Sequence, residues 1–308
     1  MELFLPIAHM DVNIALILFY GALVGALSGL VGVGGGFLIT PLLIFTGVPP
    51  IVAVSSGAAQ MAGTAAGASY IQWRYGNIDF KMGTVLLAGS WLGGGSGVYL
   101  ASILLESGQF GNVVALLYVV LLGVIGISML VESLRASRNA ARTAAPRPEP
   151  ASRATRALFA RLPWQMAFPV SGLRVSVIVP LVLGTAVGVM TSLMGVGGGF
   201  IMVPVMIYLL RMPTRIVVGT SLFQLLFTTA IVSVMQAGIN HSVDPFLAAT
   251  LMLGSVFGTR LGADAGRRLP GEKLRLVLAL VVVGVAIKMT LALVVVPSDP
   301  YVMTVRVH

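Results

Sequence analysis

Cysteine is absent from the chain, and charged residues are scarce, at 9% of the sequence. The absence of thiols excludes disulfides, thiolate metal sites and thiol-based redox chemistry. A soluble domain carries about 25% charged residues, whereas this chain is 57% hydrophobic. We therefore expect a polytopic membrane protein that is embedded in a lipid bilayer.

Histidine is also scarce, and His9, His241 and His308 all lie outside the long apolar runs. With no cysteine, and no histidine inside the runs, there is no set of side chains that could bind a metal or act as a nucleophile. The sequence therefore predicts a protein that is not an enzyme, with no catalytic residues, no metal and no cofactor.

The net charge of +9 does not indicate a nucleic-acid partner. Eight of the 19 Lys and Arg residues lie between Arg135 and Arg174, so the excess belongs to one segment. That segment, residues 133–173, connects a first hydrophobic region (residues 1–132) to a second one (residues 174–308). Its residues 152–168, where Arg alternates with Leu, Phe and Trp164, either lie along the inner leaflet or form a solvated, partly disordered loop.

Each hydrophobic region contains five apolar runs, of which the second is short. The runs cover residues 12–31, 37–45, 48–73, 82–105 and 113–131, and then 175–194, 200–210, 216–237, 245–263 and 274–296. A run of about 20 residues crosses a bilayer, whereas nine residues of helix span roughly 14 Å. The predicted fold is all-α, with about eight full spans and two half-helices in re-entrant hairpins.

The two regions are copies of each other, since Gly-Val-Gly-Gly-Gly-Phe occurs at residues 32–37 and again at 195–200. The basic residues of equivalent loops alternate between the copies. Arg74 and Lys81 follow the third run of the first copy, while the equivalent residues 238–244 include no Lys or Arg. Basic loops concentrate on the cytoplasmic side. We therefore predict inverted repeats, with the connector cytoplasmic and both termini on the other side.

Glycine inside a helix costs roughly 1 kcal/mol per residue relative to Ala, so four glycines in five residues should break each run. Matched breaks inside a bilayer are typical of a transporter binding site. A helix that restarts after the break offers free N–H groups and a positive dipole end, which suit a small anion. The predicted substrate-binding glycines are Gly34, Gly35, Gly36, Gly197, Gly198 and Gly199.

Polar side chains at matched positions are predicted to complete this site. They are Ser28, Thr191, Ser56, Thr220, Gln60 and Gln224. The glutamines are the stronger candidates, because Ser and Thr in membrane helices commonly bond their own i−4 carbonyl groups. The alternative for glycine is close helix packing, which we favour for Gly21, Gly25, Gly29, Gly93 and Gly97.

Lys288 lies inside the last apolar run, where an ionised group is costly and indicates a functional position. We include it in the predicted substrate site. The alternative is that it faces a wet crevice or extends to the bilayer surface. All ten acidic residues lie in loops or at the ends of runs, so a midplane carboxylate for proton or sodium coupling is absent. Asp79 and Asp244 occupy equivalent positions, and we interpret them as helix caps.

One pattern of glycine and proline is common to both copies. It reads Gly25-x3-Gly29-x2-Gly32-x-Gly34-Gly35-Gly36-x4-Pro41, with a counterpart that ends Gly195-x-Gly197-Gly198-Gly199-x4-Pro204. This pattern resembles the signature of the TauE/SafE family of sulfite and organosulfur-anion permeases. The likeness extends from Ala15 to about Val296, and the second copy has Ser192 in place of Gly29.

The resemblance implies a multi-pass protein of the bacterial inner membrane that transports sulfite, sulfonates or related small anions, often outward. The leading hypothesis is a secondary transporter that works by alternating access around the paired breaks. An anion channel or uniporter for small oxyanions or carboxylates is the alternative, and the missing coupling carboxylate favours it. The predicted partners are the anionic substrate and the lipid bilayer.

Overall fold

The computed structural model describes residues 2–31, 35–139, 163–208, 210, 212–268 and 271–294. Within these residues the chain is helical apart from two short β-hairpins and the connecting turns. The predicted all-α class is therefore confirmed. Gly34 and residues 140–162 of the basic connector lie outside the described residues, so the structure does not test the predictions for them.

The two repeats have the same order of elements. The first contains β1 (Glu2–Leu5), β2 (Met10–Asn13), α1 (Ile14–Val31), a 3-10 turn (Gly35–Leu38), α2 (Ile39–Phe45), α3 (Pro50–Arg74), α4 (Phe80–Glu106) and α5 (Phe110–Asn139). The second contains β3 (Gln165–Phe168), β4 (Leu173–Ser176), α6 (Ile178–Met194), α7 (Gly199–Tyr208), α8 (Thr214–Ile239), α9 (Pro245–Arg268) and α10 (Gly271–Val294). Each predicted apolar run corresponds to one helix.

The fourth helix of each repeat begins at a buried aspartate. The Asp79 carboxylate accepts a hydrogen bond from the Met82 N–H at 3.1 Å, and Asp244 accepts from the Leu247 N–H at 3.1 Å. Both are N-caps, which satisfy an N–H group that the first helical turn leaves free. The interpretation of these two residues as caps is confirmed.

Each aspartate also holds a β-hairpin and the third helix of the other repeat. Asp79 Oδ2 accepts from the N–H and hydroxyl of Ser171, in the turn between β3 and β4, while its own N–H donates to Thr220 Oγ1 at 3.0 Å. We call these contacts the first capped junction. In the second capped junction, Asp244 Oδ2 accepts from the Ile7 N–H at 3.2 Å, and the Asp244 N–H donates to Ser56 Oγ at 2.9 Å.

The hairpins were not predicted from the sequence. Their strands are only four residues long, which is too short for the period-2 pattern that identifies a strand. Both pair antiparallel, with Glu2 opposite Asn13 and Gln165 opposite Ser176. Their turns are held by the aspartates, so each hairpin closes one end of the helical body.

The first helix of each repeat packs on the fourth helix of the other repeat. Helix α1 packs on α9, and α6 packs on α4. Small residues permit these contacts. A Cβ atom on Gly21 would lie 2.5 Å from the Leu251 carbonyl oxygen, and one on Gly97 would lie 2.8 Å from Ser192 Cβ. The interpretation of the isolated glycines as close-packing positions is confirmed at these sites, as is common in membrane helices.

In the part of the chain that the structure describes, two helices are long and apolar enough to cross a bilayer by length and composition, at residues 110–131 and 214–239. Helices α3, α4 and α9 have 25, 27 and 24 residues, or about 36 Å and more at 1.5 Å per residue. Their many Gly, Ala and Ser residues make them less hydrophobic than a lipid-facing helix. The prediction of eight spans in inverted repeats therefore stays a prediction.

Candidate anion-binding site at the helix breaks

The second glycine string interrupts the helix as predicted for a break. Helix α6 ends at Met194, and α7 begins at Gly199. Gly195 caps α6 in the left-handed region with a φ of 69°, and its N–H donates to the Thr191 carbonyl at 2.8 Å. Gly197 and Gly198 have φ values of 66° and 73°. Glycine adopts these angles without strain, so the backbone conformation itself requires this sequence.

The carbonyl groups at the end of α6 are satisfied by the protein. The Tyr118 hydroxyl donates to the Met194 carbonyl at 2.6 Å, and Gln236 Nε2 donates to the Ser192 carbonyl at 3.1 Å. With the Thr191 carbonyl bonded to Gly195, three of the last four acceptors of the helix have donors. The negative end of this helix dipole is therefore already compensated.

The N–H groups that follow are not satisfied in the same way. Residues 195–200 are all buried. Yet none of the N–H groups of residues 196–200 donates to an acceptor in the described part of the chain. Buried backbone donors without partners are rare in proteins. A run of them at a helix N-terminus is the arrangement that binds an anion.

The two breaks lie against each other. Phe37 and Phe200 each follow a glycine string directly, and their rings stack at 4.1 Å between centroids with an angle of 17°. Met61 of α3 contacts both breaks, because a Cβ on Gly36 would collide with its side chain and one on Gly197 would lie 2.8 Å from its Cε. The hydrophobic core therefore holds Gly36 and Gly197 at one place.

Space also restricts these positions to glycine. A Cβ on Gly198 would collide with Val187, and one on Gly195 would lie 2.5 Å from the Val54 carbonyl oxygen. Lack of space for a Cβ atom is therefore sufficient to explain why residue 36 is glycine. Gly195, Gly197 and Gly198 lack that space as well, and they also adopt left-handed backbone angles. Gly35 opens the 3-10 turn that leads into α2, and Gly199 is the first residue of α7.

The two predicted glutamines are buried next to the residues that contact the breaks. Gln60 of α3 is 2% exposed and precedes Met61, and Gln224 of α8 is fully buried and precedes Leu225. The Oε1 atom of each has no hydrogen-bond partner among the described residues. Gln224 Nε2 donates to Ser90 Oγ at 2.7 Å. A buried amide oxygen without a partner is a free acceptor, so it indicates a position where a donor such as a water molecule binds.

The residues with predicted substrate-binding hydroxyl groups lie in different parts of the structure. Thr191 is buried and donates to the Val187 carbonyl at 2.8 Å, which is the i−4 bond expected of the alternative. Its Oγ1 nevertheless lies 3.6 Å from the Cβ position of Gly198, so it borders the break. Ser28 is half-buried on α1. Ser56 and Thr220 belong to the capped junctions, one helical turn before the glutamines.

The structure does not bring Lys288 to the breaks. Its side chain is exposed on α10, and its Nζ lies 4.1 Å from the centroid of the Phe45 ring. Phe45 is the last residue of α2, nine residues beyond Gly36, or roughly 14 Å along a helix. The exposed position and the cation–π contact favour the alternative in which this ammonium group extends to the bilayer surface.

Sequence reasoning missed the residues that cap the end of α6. Tyr118 and Gln236 were not selected, although each is a polar residue at a fully buried position in a hydrophobic helix. Gln236 could have been found from the duplication, because Gln72 occupies the equivalent place in α3. Met61 could not have been found from the sequence, since nothing in an apolar run shows which of its residues faces a break.

Together, the hydrophobic helices and the buried glycine breaks define a class, a membrane transporter with discontinuous helices. The family model described as "Sulfite exporter TauE/SafE" matches residues 17–289. That match covers most of the chain, so the protein belongs to the TauE/SafE family, and the resemblance inferred from the glycine pattern is confirmed.

The chain is also similar to several curated bacterial proteins over nearly their whole length. It is 28% identical to the "Probable membrane transporter protein YjnA" of Bacillus subtilis, over 89% of this chain and 98% of the relative. It is 25% identical to YunE of the same organism, over 88% and 95%. A "Probable membrane transporter protein" of Xylella fastidiosa is 29% identical, over 87% and 91%. No solved structure matches the chain.

Proposed function

We propose that this transporter is a secondary permease that exports small sulfur-containing anions, such as sulfite or organosulfonates. The observation that carries the proposal is the run of buried N–H groups at residues 196–200 that have no acceptor among the described residues. The neighbouring carbonyl groups of α6 have protein donors, so the break presents positive charge without compensating negative charge. An oxyanion supplies the missing acceptors.

The substrate class follows from the size and chemistry of the break. Backbone N–H groups that glycine leaves uncovered bind oxygen atoms of a small oxyanion directly. The Gln60 Nε2 group would complete the binding site as a donor. Gln224 Nε2 and the Thr191 hydroxyl donate to Ser90 and to the Val187 carbonyl, so each would have to exchange that bond for one to the anion. Sulfite in particular, and export as the direction, come from the description of the family model.

The proposed cycle is alternating access around the paired breaks. The protein would lie in the inner membrane with its basic connector in the cytoplasm and both termini in the periplasm, as the Lys and Arg pattern predicts. Each break belongs to one repeat, and the breaks meet at the Phe37–Phe200 stack. Movement of one repeat against the other would expose this contact to one side of the membrane at a time.

Transport by purified protein in liposomes tests this proposal. Liposomes preloaded with radiolabelled sulfite are diluted into buffer, and sulfate, taurine and sulfoacetate are added as competitors. We expect saturable flux that at least one sulfur anion inhibits, and no flux in protein-free liposomes or with the Gly198→Val variant. Equal flux in those controls, or no competition by any anion, would overturn the proposal.

An anion channel or uniporter is the second candidate, and one observation favours it. The two buried carboxylates in the described part of the chain, Asp79 and Asp244, are committed to helix caps and hairpins. Neither is therefore free to bind a coupling proton or sodium ion. Conductance that does not saturate with anion concentration, and that ignores imposed proton and sodium gradients, would support this candidate over a coupled permease.

A further inference from the structure

An aromatic groove lies along α3 and α8, near the C-terminal end of α3 and the start of α4. Its cavity has a volume of about 350 Å³, within the range of small-ligand pockets. Its principal lining residues are Tyr70, Trp73, Ile78, Phe80, Phe223 and Phe227. The rings contact one another in a chain, with 5.3 Å between Phe80 and Phe223 and 5.0 Å between Phe223 and Phe227. The walls are therefore rigid and apolar.

The groove is open at the surface of the protein. Tyr70, Trp73 and Phe80 are 55%, 56% and 46% exposed. An apolar surface of this kind marks a site of contact with another apolar molecule. In a membrane protein, lipid acyl chains surround such a surface. The few polar atoms of the lining, such as the Ser69 hydroxyl, do not provide a path for a hydrated anion.

Two basic residues directly follow lining residues of the groove in the sequence. Arg74 follows Trp73 and Lys81 follows Phe80, and both side chains are exposed. Lys81 Nζ donates to the Ala167 carbonyl at 3.1 Å, whereas the Arg74 guanidinium has no hydrogen-bond partner in the described part of the chain. The neighbouring acid, Asp79, is buried and bonded to Ser171. These exposed basic side chains therefore complement an anionic headgroup.

The equivalent positions of the duplicated fold carry different side chains. Val234 and Ala237 occupy the positions of Tyr70 and Trp73, and Ala59 and Gly63 occupy those of Phe223 and Phe227. Met252 fills the space next to Gly63, where a Cβ would collide with its sulfur. The fold thus does not require aromatic residues here. Of the two equivalent sets of positions, the aromatic one lies on the face that the Lys and Arg pattern assigns to the cytoplasm.

We propose that this groove binds an anionic phospholipid of the cytoplasmic leaflet, with an acyl chain between the aromatic rings and the headgroup phosphate on Arg74. The cytoplasmic leaflet is rich in anionic lipids, and basic residues at its surface attract them. Arg in particular binds phosphate through paired N–H donors. The proposal goes beyond transport itself and rests on the predicted orientation of the repeats.

A bound lipid would also affect the proposed substrate site. Phe223 packs over Gly83 of α4, where a Cβ would lie 2.8 Å from its ring, and the next residue is Gln224. Gln224 in turn bonds Ser90 of α4. An acyl chain in the groove therefore supports the contact between α4 and α8 directly beside the glutamine, and we expect transport to be faster in bilayers with anionic lipid.

Two variants test the lipid site. Ala66→Trp fills the groove, because Ala66 is an exposed part of its lining. Ala230→Trp is the matched control at the equivalent position of the duplicated fold, which has no aromatic lining. Native mass spectrometry and thermal unfolding are measured with phosphatidylglycerol and with phosphatidylcholine. The unmodified protein and Ala230→Trp should retain phosphatidylglycerol and gain thermal stability from it, whereas Ala66→Trp should do neither.

Arg74→Gln tests the headgroup separately and does not depend on the folding of the tryptophan variant. We expect its phosphatidylglycerol affinity to fall about fivefold, while phosphatidylcholine binding is unchanged. Equal phosphatidylglycerol binding by Ala66→Trp and Ala230→Trp, or no change in Arg74→Gln, would overturn the proposal. These readouts measure lipid directly, so they stand whether or not sulfite proves to be the substrate.

Discussion

At the two capped junctions the repeats are nearly identical, whereas at the two glycine breaks they differ. In both junctions an aspartate caps the fourth helix, accepts a hydrogen bond from a β-hairpin and donates its N–H to a hydroxyl of the other repeat. In the second break Gly198, the equivalent of Gly35, has a left-handed φ of 73°. In the first, a 3-10 turn from Gly35 leads directly into α2.

The glutamines show the same contrast. Gln224 donates to Ser90, but no equivalent hydrogen bond joins Gln60 to Ser255 in the described part of the chain. Duplicated positions thus remain alike where they hold the fold together. They diverge where we place the substrate, as expected for repeats that exchange conformations during transport.

The largest expected effect comes from changing the second break. Gly198→Val places a Cβ against Val187 at a backbone angle that valine rarely adopts. We expect transport to fall about 100-fold at equal amounts of membrane-inserted protein, because displacement of the N–H groups by about 1 Å is sufficient. Sulfite flux in proteoliposomes measures this.

Gly284→Val is the matched control for that change. Gly284 lies in α10, and no atom lies within 4 Å of its Cβ position. This variant should transport at the normal rate. Normal flux through Gly198→Val as well would show that the second break does not bind substrate, and the contrast between junctions and breaks would lose its functional meaning.

Removing either cap should destabilise the protein strongly and about equally. Asp79→Ala and Asp244→Ala each lose a helix cap and a charged hydrogen bond to a hairpin, for a total of about 3 kcal/mol. Thermal unfolding in detergent measures the loss, with Asp11→Ala at an exposed position of β2 as control. A large effect at only one aspartate would mean that the junctions are less alike than their hydrogen bonds indicate.

Replacing the glutamines should separate binding from stability. Gln60→Leu should weaken sulfite binding about tenfold through the loss of one N–H donor to a charged ligand. Gln224→Leu should weaken binding less, because Gln224 Nε2 already donates to Ser90. Only Gln224→Leu should also lose about 1 kcal/mol of stability, because only this glutamine bonds Ser90. Calorimetric titration and thermal unfolding give the two values. Unchanged affinity in both variants would remove the glutamines from the site.

The smallest effect is expected at Lys288. The sequence-based hypothesis predicts that Lys288→Met weakens anion affinity, whereas the exposed position over Phe45 predicts a stability change of at most about 1 kcal/mol and an unchanged KM for sulfite. Initial rates over a range of sulfite concentrations distinguish the two. A several-fold rise in KM would return this lysine to the substrate site.

Much of the helical plan could be predicted because each helix has its own local signal. The runs at 48–73 and 82–105 predict α3 and α4 within three residues at either end, since apolar residues and the flanking Pro49 and Asp79 mark the limits. The hairpins have no such signal, because four-residue strands depend on the aspartates that hold their turns. The satisfied carbonyls of α6 were also unpredictable, since Tyr118 is far away in the chain.

The amino-acid sequence by itself determined the membrane class, the duplication and the positions of the two glycine strings, because these depend on local composition and repetition. Only the tertiary structure decided that Phe37 stacks on Phe200 and that Lys288 lies away from the second break. It also decided that the N–H groups of residues 196–200 find no acceptor within the described ranges. Those outcomes depend on which helices pack together. Contacts between distant segments follow from the summed packing of the whole chain, which no short pattern records.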